Sequence, residues 1–452
     1  MTGTTSLREQ AESIWRAGVE AVDSETLVGN VVHRSGETLV ICGHELPLAR
    51  LNRIAVVGAG KAGGGMAAAF ERAVGPEVLA DKVTGWINVP ADCLRPLERI
   101  HLHAARPAGV NEPTAEGVLG SEDILKTVEA LGPDDLCVVL ISGGGSALLP
   151  APVSAISLDD KQEVTRLLMR SGATIDELNC VRKQLSRIKG GRLAQATRAG
   201  LVLTLIISDV VDDPLDVIAS GPTVADSSTP AAALQVLEKH ATAPRDVPQR
   251  VIDYLSDRRE QDCVPAPLPA SVHHHVIGNN GVALAASAQR AEALGYRVHS
   301  LGSDNRGVAR EEGRLLADLA VSVRDQGKPE SAPLCILSGG EPVVHLAKTN
   351  KTRRGGRNQE LVLAALAHLW NGDFSRIALL SGGTDGEDGP TDAAGAVADE
   401  ELLNRAKAEA LDPQAFLEIN NSYPFLEQTG GLLKTGPTHT NVMDLRVVLI
   451  AN

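Results

Sequence analysis

Among the apolar stretches of this chain are Ile54 to Val57, the CVVLI run ahead of Ser142, and Leu201 to Ile207, broken only by Thr204. Strands with one wet face alternate polar and apolar residues. Unbroken runs separated by helical segments predict parallel strands covered on both faces, and so an α/β fold. A second series follows, through HHHVIGNNGVALAASAQRAEALG, LCILSGGEPVVHL, GGRNQELVLAALAHL and IALLSGGTDGEDG, to a last strand, DLRVVLI. At 452 residues the chain is too long for one ordinary core. The expected organisation is a larger parallel-sheet domain over residues 1–235 and a smaller α/β domain over 236–452, the last strand being free to return to the first. The segment from Pro222 to about Pro269, rich in Pro, Ala and charge, is the expected crossover. Residues 1 to about 50 read as a helix, Ser6 to Ala21, and an irregular segment.

Composition removes several kinds of partner. A net charge of −14 disfavours nucleic acid and acidic membrane surfaces. No apolar run approaches a membrane span, and the N-terminus lacks a basic-then-apolar leader pattern. Six cysteines without metal spacing read as reduced thiols of a cytoplasmic protein. Aromatic residues are 2% of the chain, so stacking cannot dominate ligand recognition. The expected partner is a small molecule, with the oligomeric state left open and a homodimer among the options.

The chemistry gathers where strands end. RIAVVGAGKAGGGMAAAFERAVG runs from a strand through Gly58 and Gly60 into a helix whose Ala62, Met66, Phe70 and Ala73 share a face. A helix start behind glycines offers free backbone N–H groups to an anion. Lys61 adds a cation inside the turn. GAGKAG satisfies GxGxxG, but a dinucleotide site also needs an acid ending the next strand, and VTGWINVP has Asn88 there. SGGGS offers Gly143, Gly144, Gly145 and Ser146 as a phosphate cradle, the alternative being a flexible turn. SGG recurs at 338–340 and 381–383. Asp209 follows a buried strand, where a carboxylate is costly unless it meets a metal, a cation or a substrate hydroxyl. The loop GTDGEDGPTDAAG, with Asp385, Asp388 and Asp392, suits Mg2+ or polar nucleotide groups, with a solvated acidic turn as the alternative. In RRGGRNQE, Arg357 opens a helix and offers a planar donor fork to carboxylate or phosphate. His273, His274 and His275 alternate on a strand and cannot all face one metal. ELNCVRKQLSRIKGGRLAQAT reads as one long basic helix with Leu178, Val181, Leu185 and Ile188 as its apolar stripe. Ser121 reads as the N-cap of the helix SEDILKTVEAL.

Taken together, GAGKA, SGGGSALLPAP, LNCVRKQLSRIKGGRLA, SDVVDDPLDVIASGPTVAD, GGRNQE, SGGTDGEDGPTDAAGA and TGPTHTNVMDLRVVLI resemble the glycerate 2-kinases of the MOFRL family. The match runs in the family's order from residue 58 to 450. It implies a Rossmann-like N-terminal domain, a MOFRL-type C-terminal domain and an active site in the cleft between them. It also implies transfer of a phosphoryl group from ATP, with Mg2+, to the 2-hydroxyl of D-glycerate or a close relative. Lys61 and Arg357 match the family's catalytic lysine and arginine, and Asp209 is the candidate to orient or deprotonate the hydroxyl. Substrate contacts are expected from Arg106, Asn111, Lys189, Arg192 and Asn279. Nucleotide contacts are expected from Gly143 to Ser146 and from Gly382, Gly383, Thr384 and Asp385, and metal contacts from Asp209 and Asp388. The family's HPVPD-like motif is replaced here by HAARPAGVNEPTAEG, which bears on which hydroxy acid fits. The rival enzyme is an NAD(P)-dependent hydroxypyruvate or tartronate-semialdehyde reductase, a label such proteins often carry. A non-catalytic sensor is the third reading, disfavoured by the presence of Lys61, Asp209 and Arg357.

Overall fold

The computed structural model describes residues 6–110, 112–258, 268, 271–328 and 331–452. The chain forms two compact units, one from Ser24–Ile277 and one from residues 6–23 with Gly278–Asn452.

In the first unit, β1 (Val32–Ser35), β2 (Thr38–Ile41) and β3 (His44–Pro47) make a small antiparallel sheet. The stretch expected to be irregular is therefore ordered: a helix, Ser24–Val31, precedes this sheet. Next come β4 (Ile54–Ala59), β5 (Val83–Pro90), β6 (Ile100–Arg106), β7 (Leu136–Ile141), β8 (Leu201–Ile207) and β9 (Val272–Gly278). They form one sheet in the order β6-β5-β4-β7-β8-β9. From β6 to β8 all neighbours are parallel. Every residue of β4 and β7 is buried, as their unbroken apolar composition requires. The chain leaves β4 toward one edge and returns to β7 on its other side, so the order reverses between β4 and β7. In an open parallel sheet that reversal opens a crevice at the C-terminal strand ends, where ligands bind.

In the second unit, β10 (Arg297–Ser300), β11 (Leu334–Gly340), β12 (Ile377–Gly383), β13 (Gly395–Asp399), β14 (Leu432–Leu433) and β15 (Asp444–Ile450) form a sheet in the order β10-β11-β15-β12-β13-β14. Here β15 lies antiparallel between β11 and β12, and all seven of its residues are buried. The last strand thus completes its own sheet and does not return to the first.

The expected boundary at residue 235 also moves. The helices Pro230–His240 and Gln249–Asp257 pack with residues of the helices Leu158–Arg170 and Ile175–Gln184, through Leu234, Leu237, Val251 and Leu255. β9 then closes the edge of the first sheet. In the opposite direction the N-terminal helix Leu7–Ala21 belongs to the second unit. Its Trp15 donates from Nε1 to the Gly382 carbonyl at 3.3 Å, and Arg8 pairs with Asp399 at 2.8 and 3.0 Å. Ser6, expected as the first residue of this helix, is its N-cap, within a capping box with Glu9.

Two helices differ from their expected limits. The helix of SEDILKTVEAL begins earlier, at Ala115, capped by Thr114, and Ser121 lies buried inside it, bonding the Gly117 carbonyl. The long basic helix stops at Gln184 and resumes as Arg192–Ala196. Leu185 and Ile188 follow that stop and enter different clusters, and Gly190 and Gly191, with φ of +59° and +80°, turn the chain into the second helix. Among the described residues no helix is long and apolar enough to cross a membrane. Among the described residues Cys42, Cys137, Cys180 and Cys335 are free thiols, and Cys263 lies outside them.

Candidate active site

In the first unit the site forms at the sheet's reversal. The turn after β4 approaches the loop after β7 so closely that a side chain at Gly60 would land on Ser142. Two bonds fix this approach: the Lys61 N–H donates to the Gly143 carbonyl at 2.9 Å, and the Ala62 N–H to Ser142 Oγ at 3.0 Å. Lys61 itself is half-buried. Gly144 sits in the left-handed region at φ +79°, where a Cβ would stand 3.2 Å from an Arg106 guanidinium nitrogen and 3.7 Å from Lys61 Cγ. Lys61, Arg106 and the 143–146 loop are therefore neighbours. Arg106 is buried and donates to the Val110 carbonyl. Lys189 Nζ donates to the Ser146 carbonyl at 2.8 Å, Ser146 Oγ at 3.0 Å and the Ala219 carbonyl at 3.3 Å. Arg192 donates to the Lys183 and Lys189 carbonyls at 2.6 and 3.1 Å, which ties down the loop carrying Lys189. Asp209 stands half-buried two residues beyond β8, at the same end of the sheet. Asn111 lies outside the described residues.

Asn88 is the residue at the place where a dinucleotide site wants its acid. It is fully buried on β5, and its Nδ2 donates to the Leu148 carbonyl at 2.7 Å. Its amide braces the chain behind the 143–146 loop.

The second unit builds its site around β15. Asp444, opposite both Gly340 and Gly383 in register, is fully buried. It receives the Arg357 fork: Nε at 2.6 Å on Oδ2 and Nη2 at 2.9 Å on Oδ1. Arg357 Nη1 is 3.0 Å from Glu341. Burial opposes the Arg357 charge, but Asp444 and Glu341 outweigh it and hold the guanidinium protonated above its ordinary range. Among the described residues three of its five N–H groups are engaged, which leaves two for a ligand. Beside it lies a cavity of about 660 Å³ walled by Pro342, Val343, Leu346, Gly356 and Pro390.

Gly382 and Gly383 end β12, and Thr384 Oγ1 knits the following turn to the Met443 carbonyl at 2.7 Å. A Cβ on Gly383 would stand 3.1 Å from Asp385 Oδ1 and 3.5 Å from Asp444 Oδ1, so two carboxylates flank that glycine. Asp388 has a different post. Its oxygens accept from the Asn358 and Gln359 N–H groups at 3.1 and 2.9 Å, capping the helix Arg357–His368 from a loop thirty residues away. Burial, aided by Asp444, pushes its carboxyl up to about 7 against those backbone bonds. Asn279 caps the helix Asn280–Ala293 through a bond from the Val282 N–H at 3.1 Å. At the remaining SGG, residues 338–340, the carbonyls of Gly339 and Gly340 accept from buried Arg446, at 3.0 and 3.2 Å. That glycine pair receives a guanidinium in place of a phosphate. Asp392 is held by Tyr423 and Lys434 at 2.6 and 2.9 Å. His273 and His275 share a face of β9 and meet His44, whose Nε2 is 3.3 Å from that of His275. Among the described residues no three His, Cys, Asp or Glu are grouped to hold a metal by themselves.

Asp444 carried no separate expectation. Its one signal was a carboxylate heading an apolar strand, the same signal that singled out Asp209.

Two family models match the chain: one described as a domain of unknown function (DUF4147) over residues 10–256, and the MOFRL family over residues 334–444. A glycerate kinase from Danio rerio is 38% identical, covering 99% of this chain and 98% of that protein. A D-glycerate 2-kinase from Thermotoga maritima is 36% identical over 98% of this chain and 99% of its own. A protein of Agrobacterium vitis that carries a hydroxypyruvate reductase name is 39% identical over 98% and 95%. The crystal structure of a glycerate kinase from Thermotoga maritima superposes with a TM-score of 0.83 at 35% identity, over 98% of this chain and 99% of that one.

Proposed function

Given that this chain belongs to the glycerate kinase family with a C-terminal MOFRL domain, we propose that it transfers a phosphoryl group from ATP, with Mg2+, to the 2-hydroxyl of D-glycerate or a closely related hydroxy acid. The observation that carries this reading is the cluster at the sheet's reversal. Lys61, Arg106 and the glycines of 143–145 converge there, with a bracing amide, Asn88, where a reductase needs an acid for its cofactor's ribose. Phosphoryl transfer asks a protein for alignment and charge neutralisation more than for covalent chemistry. Lys61 offers an ammonium held by a rigid turn. Gly144 lets phosphate oxygens approach the backbone and both cations without a side chain intervening. Arg357, aimed by Asp444, presents its two remaining N–H groups to a carboxylate or phosphoryl oxygen, and Asp209 orients the acceptor hydroxyl or takes its proton.

Mg2+ would offset the charge of the phosphates, and it would need only one or two protein carboxylates to hold it. The Asp385 carboxylate beside Gly383 fits that requirement, with Asp209 as the candidate in the first unit; Asp444 does not, because both of its oxygens already hold the Arg357 fork. Asp388 does not fit, because both of its oxygens already serve a helix end. We place the reaction in the cytoplasm.

The test is an ADP-release assay with Mg-ATP and D-glycerate, run beside nicotinamide absorbance with hydroxypyruvate. ATP-dependent turnover without nicotinamide oxidation is expected, and the reverse would overturn the proposal. Phosphorus NMR of the product then reports whether the phosphate sits on the 2- or the 3-oxygen.

A further inference from the structure

Behind Ser146 lies a group of cations that the reading above leaves unexplained. The helix Leu158–Arg170 turns Lys161 inward beside Val164 and Leu168; Lys161 is 6% exposed, and among the described residues its Nζ has no hydrogen-bond partner. The helix Ile175–Gln184 supplies Asn179 and Arg182. The loop behind it supplies Lys189, which is 2% exposed and bonded only to neutral oxygens of Ser146 and Ala219. Asn179, 4% exposed, accepts from Ser220 Oγ at 2.9 Å, and Ser220 Oγ lies 3.0 Å from Ser146 Oγ. Among the described residues, however, Asn179 Nδ2 has no acceptor.

The next residue on the same helix shows what an ordinary arrangement looks like. Lys183 is equally buried, but it stands 3.2 Å from Asp216 and 4.0 Å from Asp226. Among the described residues no carboxylate lies within ion-pair distance of Lys161, Arg182 or Lys189. Burial, and then their mutual repulsion, lowers the pKa of Lys161 to about 7 and that of Lys189 well below its ordinary value. Burial alone lowers Arg182 to about 10. Buried cations without counter-charge are costly, and a buried donor without an acceptor adds to the cost. Such a cost persists where a ligand supplies the missing charge. All the unmet groups here are donors, so the ligand must be an acceptor and an anion.

We propose that Lys161, Asn179, Arg182 and Lys189 form a seat for an oxyanion, a carboxylate or a phosphate group, behind Ser146. The proposal rests on the kinase reading only for which reactant carries that anion, the hydroxy acid or the nucleotide.

The test uses the full chain and two substitutions. Lys161→Met keeps the length and removes the buried charge. Asn179→Asp keeps the acceptor for Ser220 and brings a built-in carboxylate to the cations. Thermal midpoints are measured in sodium phosphate, or with D-glycerate, against sodium chloride of matched ionic strength. The wild type is expected to rise with at least one oxyanion. Both variants are expected to start at or above the wild-type midpoint without ligand and to bind the oxyanion at least about tenfold more weakly, equivalent to about 1.4 kcal/mol. No oxyanion response in the wild type, or an undiminished response in a folded variant, overturns the seat. So does a Lys161→Met protein less stable than wild type without ligand, which would show that the ammonium has a structural partner. In turnover assays, a raised KM for D-glycerate with an unmoved KM for ATP assigns the seat to the carboxylate, and the reverse assigns it to phosphate. If the wild type turns over neither, the kinase reading fails while the midpoint titration still decides the seat.

Discussion

Lys61 is anchored through its backbone by the bond to Gly143, which a change of side chain leaves in place. Removing the ammonium while leaving that bond intact should affect turnover far more than stability. Lys61→Ala is expected to lower kcat by roughly 100- to 1000-fold, the usual cost of a preorganised charge-stabilising group. The assay is ADP release at saturating substrates, and turnover within about threefold of wild type would remove Lys61 from the mechanism. Arg357 makes a sharper case, because Arg357→Lys keeps the charge. A lysine meets Asp444 at one point and loses the fork, so a rate loss of about 100-fold is expected despite the conserved charge. Equal rates would mean that charge alone suffices. Lys61 and Arg357 were conspicuous in the sequence because each is a charged residue set among glycines, and the structure puts the first near Gly144 and the second on Asp444. Lys161 and Asp444 were not. One sits in an amphipathic helix among solvated charges, the other at the head of an apolar strand, and each acquires meaning only from partners far along the chain.

The helix Arg357–His368 shows how an element depends on a distant residue. Its N-cap, Gly356, has no side chain to serve the first N–H groups, and a Cβ there would strike Asp388, which serves them instead. Asp388→Ala leaves buried donors unpaired and is expected to cost about 1–2 kcal/mol, read as a fall in the denaturant midpoint. An unchanged midpoint would show that water replaces the cap. The same carboxyl predicts a pH dependence. Its folded pKa, about 7, lies above the unfolded value, so the folded state binds more protons in the window between them. Stability from this group is therefore present below about pH 4 and lost as the pH rises through about 7. The difference between wild type and Asp388→Ala should shrink across that window, and a difference that grows would reverse the assignment. Strands were read well because burial on both faces leaves an unbroken apolar signature. Helix ends were read less well. Ser121 looks like a cap but lies inside a helix begun at Thr114, and the basic stretch after Thr174 keeps helical spacing to Ile188 although its helix stops at Gln184.

At the scale of the molecule, the informative departure from the sequence reading is that the second unit is discontinuous. Composition gives no hint of this, because Leu7–Ala21 is an ordinary amphipathic helix whose apolar face does not declare what covers it. The structure supplies the cover: Ala11, Ile14 and Trp15 are buried in one cluster with Leu337, Leu380, Leu445 and Val447, on the sheet that carries Gly382 and Asp444. The helix also meets Asn280–Ala293, where Ser287 donates to the Ile14 carbonyl at 3.0 Å. Stability of the second unit should therefore depend on residues that precede the first unit in the chain. Trp15→Ala is expected to cost about 3–5 kcal/mol. Because Trp15 touches the Gly382 carbonyl, the loss should extend to the Gly382–Asp385 turn. Amide hydrogen exchange of the full-length chain tests this directly. Faster exchange is expected in β12, β15 and the Arg357–His368 helix, with β4, β7 and β8 unchanged. A uniform rise across both sheets would mean instead that the two units unfold together, and exchange confined to the first unit would contradict the division of the chain described above.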